Sequence, residues 1–220
     1  MSPELKKRII TSICLFTLLI LMAIYSYILI LSLIIIGIIT WIEFYALIAK
    51  IFKKKNYKHK ILKFFYKTIS LMYLSSLIYL IVSTKLSKPE IFTMIIYTIL
   101  VSIFTDIGGL VIGRVFKGRK LTKISPKKTI SGSLGSFIFS LLLVPLFIQS
   151  SLNYDFLEIS LIVLFISLIS QIGDLFISFL KRRAKVKNTS DLLPGHGGIL
   201  DRIDGIIFAV PAGFLFFNTF

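Results

Sequence analysis

Three acids bracketing a basic, glycine-containing loop carry the chemistry legible in this chain. Asp174 follows the apolar run 161–172, and Asp201 and Asp204 open a second apolar run that continues to residue 220. Between them stand Lys181, Arg182, Arg183, Lys185 and Lys187, then the turn Pro194-Gly195-His196-Gly197-Gly198. Hard carboxylate oxygens suit Mg2+ carrying substrate phosphates, while cations neutralise the phosphates themselves. Glycines let the backbone come close to a ligand. His196 between them reads first as a phosphate donor, ahead of a general base or a plain loop residue. This combination is what phosphate-plus-metal chemistry requires.

Spacing puts these groups on helices. Ser167, Gln171, Asp174, Ser178, Lys181 and Lys185 recur at helical intervals as one polar stripe on an otherwise apolar helix, expected to line a cavity. Asp201 and Asp204 are expected to share one face in the first turn of the next helix, where the dipole also favours carboxylates, so capping competes with ligation. Asp106 interrupts another apolar run. A lone aspartate at depth costs up to about 3 kcal/mol, so it is expected to face protein or water, with Ser102, Gly109 and Gly113 on its side of the helix. Helix packing alone also accounts for those glycines. The basic loop 114–128 ends in Ser125-Pro126-Lys127-Lys128-Thr129, ahead of a Gly132, Gly135, Ser136 face; lysines and hydroxyls at a helix start can hold phosphate oxygens.

The elements that must position these residues are membrane helices. Of 220 residues, 56% are hydrophobic, and the mean hydropathy is +0.90. Several apolar runs approach the roughly 20 residues needed to cross a hydrocarbon core. The expectation is an all-α, polytopic integral membrane protein of about seven transmembrane helices forming one membrane domain over 1–220: generic spans over 1–100 and the site region over 101–210. Ile9–Ala49 is too long for one span and reads as a hairpin turning at Tyr25-Ser26-Tyr27. The first span reads as retained, since its apolar stretch far exceeds a signal core and lacks a cleavage pattern. Glu43 in the second span reads as a carboxylate reaching the interface beside Trp41 and Lys50. Residues 50–67 interleave eight lysines with Phe52, Tyr57, Phe64, Phe65 and Tyr66, a basic aromatic collar suited to anionic headgroups rather than nucleic acid. Further spans are expected at 68–83, at 91–113, up to residue 148, from about 161, and from 201 onward. The lone Cys14 excludes an intrachain disulfide.

Charge decides orientation. Of the 26 basic residues, 24 lie at the N-terminus, in the loops 50–67, 114–128 and 181–187, or at Arg202; Lys85 and Lys88 lie opposite. By the positive-inside rule the N-terminus and the acid-and-glycine segment face the cytoplasm and the C-terminus lies outside, which requires an odd number of spans.

Ser178-x-x-Lys181-Arg182, followed by Pro194-Gly195-His196-Gly197-Gly198-x-x-Asp201-Arg202-x-Asp204, resembles the signature of the phosphatidate cytidylyltransferase family. Asp106 with Gly113, the 125–129 run with Gly132, and Gly173-Asp174-Leu175 follow in the same order. The resemblance covers roughly residues 100–210. It implies a Mg2+-dependent reaction of CTP with phosphatidic acid on the cytoplasmic side of the cell membrane, giving CDP-diacylglycerol and pyrophosphate. The residues it puts forward are Asp174, Lys181, Arg182, His196, Asp201 and Arg202 for catalysis. Ser125, Lys127, Lys128, Thr129, Gly197 and Gly198 would serve the nucleotide, and Asp106, Asp174, Asp201 and Asp204 the metal. A second, monovalent cation and a homodimer are left open. Ile107, Leu110, Ile177, Asn188 and Gly205 depart from the family pattern, which describes an active but divergent member. The Asp201-x-x-Asp204-Gly205 run also resembles the start of the CDP-alcohol phosphatidyltransferase motif, but the two further aspartates of that motif are missing. Rival readings are a CTP-dependent polyprenol kinase and, in another class, a transporter with Asp106 and Asp174 on its pathway.

Overall fold

A computed structural model describes residues 3–53, 56–122, 125, 128–148 and 155–219, whose regular structure is helical, with no strand among them beyond two isolated bridges. The chain divides into two compact units. The first joins Met1–Pro89 to Leu180–Ile203, and the second joins Glu90–Phe179 to Asp204–Phe220.

In the first unit, α1 (Pro3–Ile24) and α2 (Ser26–Ile51) are separated by the single extended residue Tyr25, at the expected break. α3 (Tyr57–Ser87) differs from the expected 68–83 span, because the collar is helical from Tyr57 onward. Lysines propagate a helix nearly as well as leucine. At 1.5 Å per residue, the 31 residues of α3 reach about 46 Å, well beyond a core of about 30 Å, so its basic first turns extend past the apolar run. α2 and α3 dock through Gly37, where a Cβ would come 2.7 Å from Ile78 Cδ1, and through Trp41 Nε1, which donates to the Lys67 carbonyl at 3.1 Å. The Lys67 ammonium lies over the Trp41 and Tyr45 rings, 5.0 and 5.2 Å from their centroids.

In the second unit, α4 (Pro89–Phe116) begins with the preset φ of proline and stops at Lys117 and Gly118, which have φ of 49° and 110°. α5 (Ile130–Leu141) is capped by Thr129, whose side chain accepts from Gly132 N–H at 3.0 Å. Pro145 has no N–H for the Leu141 carbonyl, so the expected single span breaks into α5 and a short α6 (Val144–Ile148). α4 and α5 approach closely. A Cβ on Gly109 would meet Ser136 Oγ at 2.7 Å, and one on Gly132 would meet the Gly109 carbonyl at 2.8 Å. The glycine faces are therefore a helix contact.

α7 (Phe156–Arg183) runs from one unit into the other, and Lys181, Arg182 and Arg183 in its last turn favour the dipole. It ends before Lys185, which sits at φ 57° and so leaves the stripe. The stripe is also no continuous cavity wall, since Ser167 is fully buried and accepts from Thr105 at 2.9 Å inside the helix packing.

The expected final helix is in fact α8 (Leu200–Ile203), a break at Asp204 and Gly205, and α9 (Ile206–Thr219). Asp204 Oδ1 takes the Gly205 N–H at 3.0 Å, a local bond that competes with helix continuation. Asp201 and Asp204 consequently do not share one helix face, and the shared first-turn expectation is corrected. Among the described residues, five helical stretches are long and apolar enough to cross a membrane: α2, α3, α4, α5 with α6, and α7; Ile9–Ile24 is shorter.

Candidate active site

Asp201 is the centre of the first unit's polar cluster. Its Oδ1 receives the Lys181 ammonium at 2.6 Å, and its Oδ2 receives Thr189 N–H at 2.8 Å, Gly198 N–H at 3.1 Å and the Thr189 hydroxyl at 3.1 Å. The ion pair is largely buried, its side chains 14% and 6% exposed for Lys181 and Asp201. Burial pushes the Asp201 carboxyl up, but the Lys181 ammonium and the Thr189 and Gly198 amides outweigh it and hold the group below the ordinary carboxylate value.

The turn beside it is built from the same parts. His196 N–H and Gly197 N–H donate to the Leu193 carbonyl at 2.9 and 3.1 Å, and Gly195 and Gly197 take positive φ of 76° and 86°. A Cβ on Gly197 would meet Asp201 Oδ2 at 2.9 Å, so glycine is needed for conformation and for close approach to the acid. Arg202 donates from Nε and Nη2 to the His196 carbonyl at 3.1 and 2.6 Å. Ser12 Oγ lies 3.3 Å from His196 Nε2, and Thr11 donates to the Pro194 carbonyl at 3.1 Å, so α1 also touches the turn. Lys181, His196, Gly197, Gly198, Asp201 and Arg202 thus meet as the spacing suggests, while Arg182 is exposed.

Glu43 overturns its interfacial reading. It is 4% exposed and accepts from Thr189 Oγ1 and Leu200 N–H, both at 2.8 Å, from Ser190 Oγ at 2.6 Å and from Ile199 N–H at 3.1 Å. It reaches inward to the loop instead of outward to water. The signal was present: a lone carboxylate in a 26-residue apolar helix is by default a functional residue. Thr189 and Ser190, its hydroxyl partners, stand outside every motif.

The second unit holds Asp174. It is ion-paired with Lys128, the two side chains 23% and 26% exposed, and accepts a long 3.3 Å bond from Ser178. One turn earlier, Gln171 Oε1 accepts from Ser133 at 2.6 Å, whereas its buried Nε2 meets no acceptor among the described residues. Asp204 is 5% exposed, and its carbonyl lies where a Gly173 Cβ would be 2.7 Å away, beside Asp174. Ser125 is buried, its carbonyl accepting from Lys128 N–H at 3.0 Å. Thr129 spends its side chain on the α5 cap. Lys127 lies outside the described residues. Asp106 is exposed on α4. No group of three or more His, Cys, Asp or Glu able to hold a metal is found among the described residues.

Residues 3–220 match the model of the cytidylyltransferase family. A phosphatidate cytidylyltransferase of Bacillus subtilis (strain 168) is 42% identical over 127 residues, 57% of this chain and 46% of that protein. One of Staphylococcus haemolyticus is 43% identical over 122 residues, 53% and 46% of the two chains. One of Synechocystis sp. is 42% identical over 113 residues, 50% and 38%. The matched stretch spans about half the length of these relatives or less.

Proposed function

The chain belongs to the cytidylyltransferase family, and on that premise we propose that it transfers a cytidylyl group from CTP to phosphatidic acid. A phosphate oxygen of the lipid attacks the α-phosphorus of CTP, the bond from that phosphorus to the bridging oxygen breaks, and pyrophosphate leaves. A phosphate monoester is already nucleophilic, so no covalent enzyme intermediate is needed. The protein's task is to position two anions and neutralise them. The observation that carries this reading is the Asp201 cluster, where Lys181, the glycine turn and Arg202 are joined by direct hydrogen bonds.

Lys128 and His196 are assigned to phosphate oxygens, with Lys127 and Ser125 in the same run and Arg182 available as an exposed cation. Gly197 and Gly198 contribute close backbone approach instead of N–H donation, because their amides are spent on Leu193 and Asp201. Mg2+ fits the donor chemistry of Asp174, a partly exposed carboxylate with few bonds, beside Asp204. These two would hold the ion, Asp201 would organise the turn, and Asp106 is a further acid of the second unit. Mg2+ would supply charge neutralisation on the phosphates. The proposed setting is the cell membrane, crossed about seven times, with the N-terminus and site in the cytoplasm, as the basic loops imply.

The test supplies purified protein with CTP labelled separately at the α and γ phosphates, together with phosphatidic acid and polyprenols. α-Label in phosphatidic acid, with pyrophosphate released, is the expected result. γ-Label in a polyprenol would replace the proposal with a kinase.

A further inference from the structure

Glu43 belongs to no motif, yet it receives four donors, as many as Asp201 at the centre of the cluster. A carboxylate offers about four acceptor positions, and Glu43 receives two donors on each oxygen: Ser190 Oγ and Ile199 N–H on Oε1, Thr189 Oγ1 and Leu200 N–H on Oε2. Two of these donors are backbone amides, which cannot turn away. All four come from the segment that carries the glycine turn, and Leu200 immediately precedes Asp201. Gly198 shows how tightly the two are joined, because a Cβ there would lie 2.5 and 2.7 Å from the Glu43 oxygens. Thr189 couples the acids: its hydroxyl lies 2.8 Å from Glu43 and 3.1 Å from Asp201, and its amide donates to Asp201 at 2.8 Å. A carboxylate buried inside an apolar helix is stable only when its oxygens are hydrogen-bonded, and here one loop bonds them.

We propose that Glu43 is a positioning residue: from α2 it holds both ends of the 189–200 loop and so keeps Asp201 and the glycine turn in their working arrangement. The kinetic part of this proposal rests on the cytidylyl-transfer reading; the structural part does not. Glu43→Gln preserves size but turns an NH2 group toward two donors, one of them a backbone amide, so one loop amide must lose its acceptor.

Hydrogen exchange and steady-state kinetics on the detergent-purified full chain test it. In Glu43→Gln, exchange across 189–203 should accelerate at least tenfold while exchange in α4 is unchanged. kcat should fall at least tenfold, by a larger factor than either KM rises. Loop exchange unchanged from wild type, or kcat per folded protein within twofold of it, would overturn the proposal. If Glu43→Gln does not fold, Ser190→Ala removes one donor of the four. It should give faster exchange over the same segment and a two- to fivefold lower kcat, with unchanged exchange again overturning the proposal. Should the wild type transfer no cytidylyl group, the functional reading fails, and the exchange measurement alone decides whether Glu43 holds the loop.

Discussion

Asp201 and Asp174 are each bonded to a lysine, yet they occupy opposite kinds of surroundings. In the first unit Asp201 is 6% exposed and takes donors on both oxygens from a lysine, a hydroxyl and two backbone amides. In the second unit Asp174 is 23% exposed, and among the described residues it has, beyond Lys128, one long bond from Ser178. A carboxylate whose acceptor sites are filled organises the chain around it. One with accessible lone pairs can exchange a lysine for a metal or a substrate cation. The same residue type is thus a filled hydrogen-bond hub in one unit and a partly exposed, lightly bonded group in the other.

The strongest test of this contrast is amide replacement of each acid. Asp174→Asn is expected to lower cytidylyl transfer by at least a hundredfold while leaving the thermal midpoint near wild type. Asp201→Asn should lower activity by orders of magnitude too, but also destabilise by about 3 kcal/mol, because it leaves the Lys181 ammonium buried without its counter-charge. Label transfer and thermal melts on the same preparations check both, with exposed Asp155→Asn as a silent control. Equal stability losses for Asp174 and Asp201 would erase the distinction.

A smaller effect is expected at Lys128. Lys128→Ala should raise the KM for CTP about tenfold and by a larger factor than that for lipid, measured by varying each substrate in turn. A change confined to the lipid KM would assign Lys128 to the headgroup.

The smallest effect is thermodynamic and sharpens the Asp201 side. Its carboxyl titrates lower in the folded protein than the ordinary value of 3.8, so its stabilising contribution is present above that value. That contribution is lost as pH falls through 3.8 toward the depressed folded value. Melting midpoints between pH 3 and 6 should therefore show a wild-type advantage over Asp201→Asn that is constant near pH 6 and shrinks toward pH 3.

Much of the architecture can be read from the chain itself. Long apolar runs dictate membrane helices because backbone groups in a hydrocarbon core must be bonded within their own segment. The break at Tyr25 and the close α4–α5 contact through Gly109 and Gly132 were legible from aromatic and small-residue placement. The Lys181, glycine-turn and Asp201 grouping was legible because its members are close in sequence, so the spacing of one loop largely determines which of them meet.

Only the tertiary structure decided what lies further apart. Glu43 is separated from Leu200 by 157 positions, and nothing local distinguishes a carboxylate that seeks water from one that receives a loop. The pairing of Lys128 with Asp174 also joins distant segments. The break at Asp204 and Gly205 goes with a local carboxylate bond that helical periodicity does not register, and Ser102 Oγ, 3.2 Å from where a Gly205 Cβ would stand, comes from a distant segment. Composition and spacing determined the helices, whereas long-range hydrogen bonds determined which acid has its acceptor sites filled and which stays partly exposed.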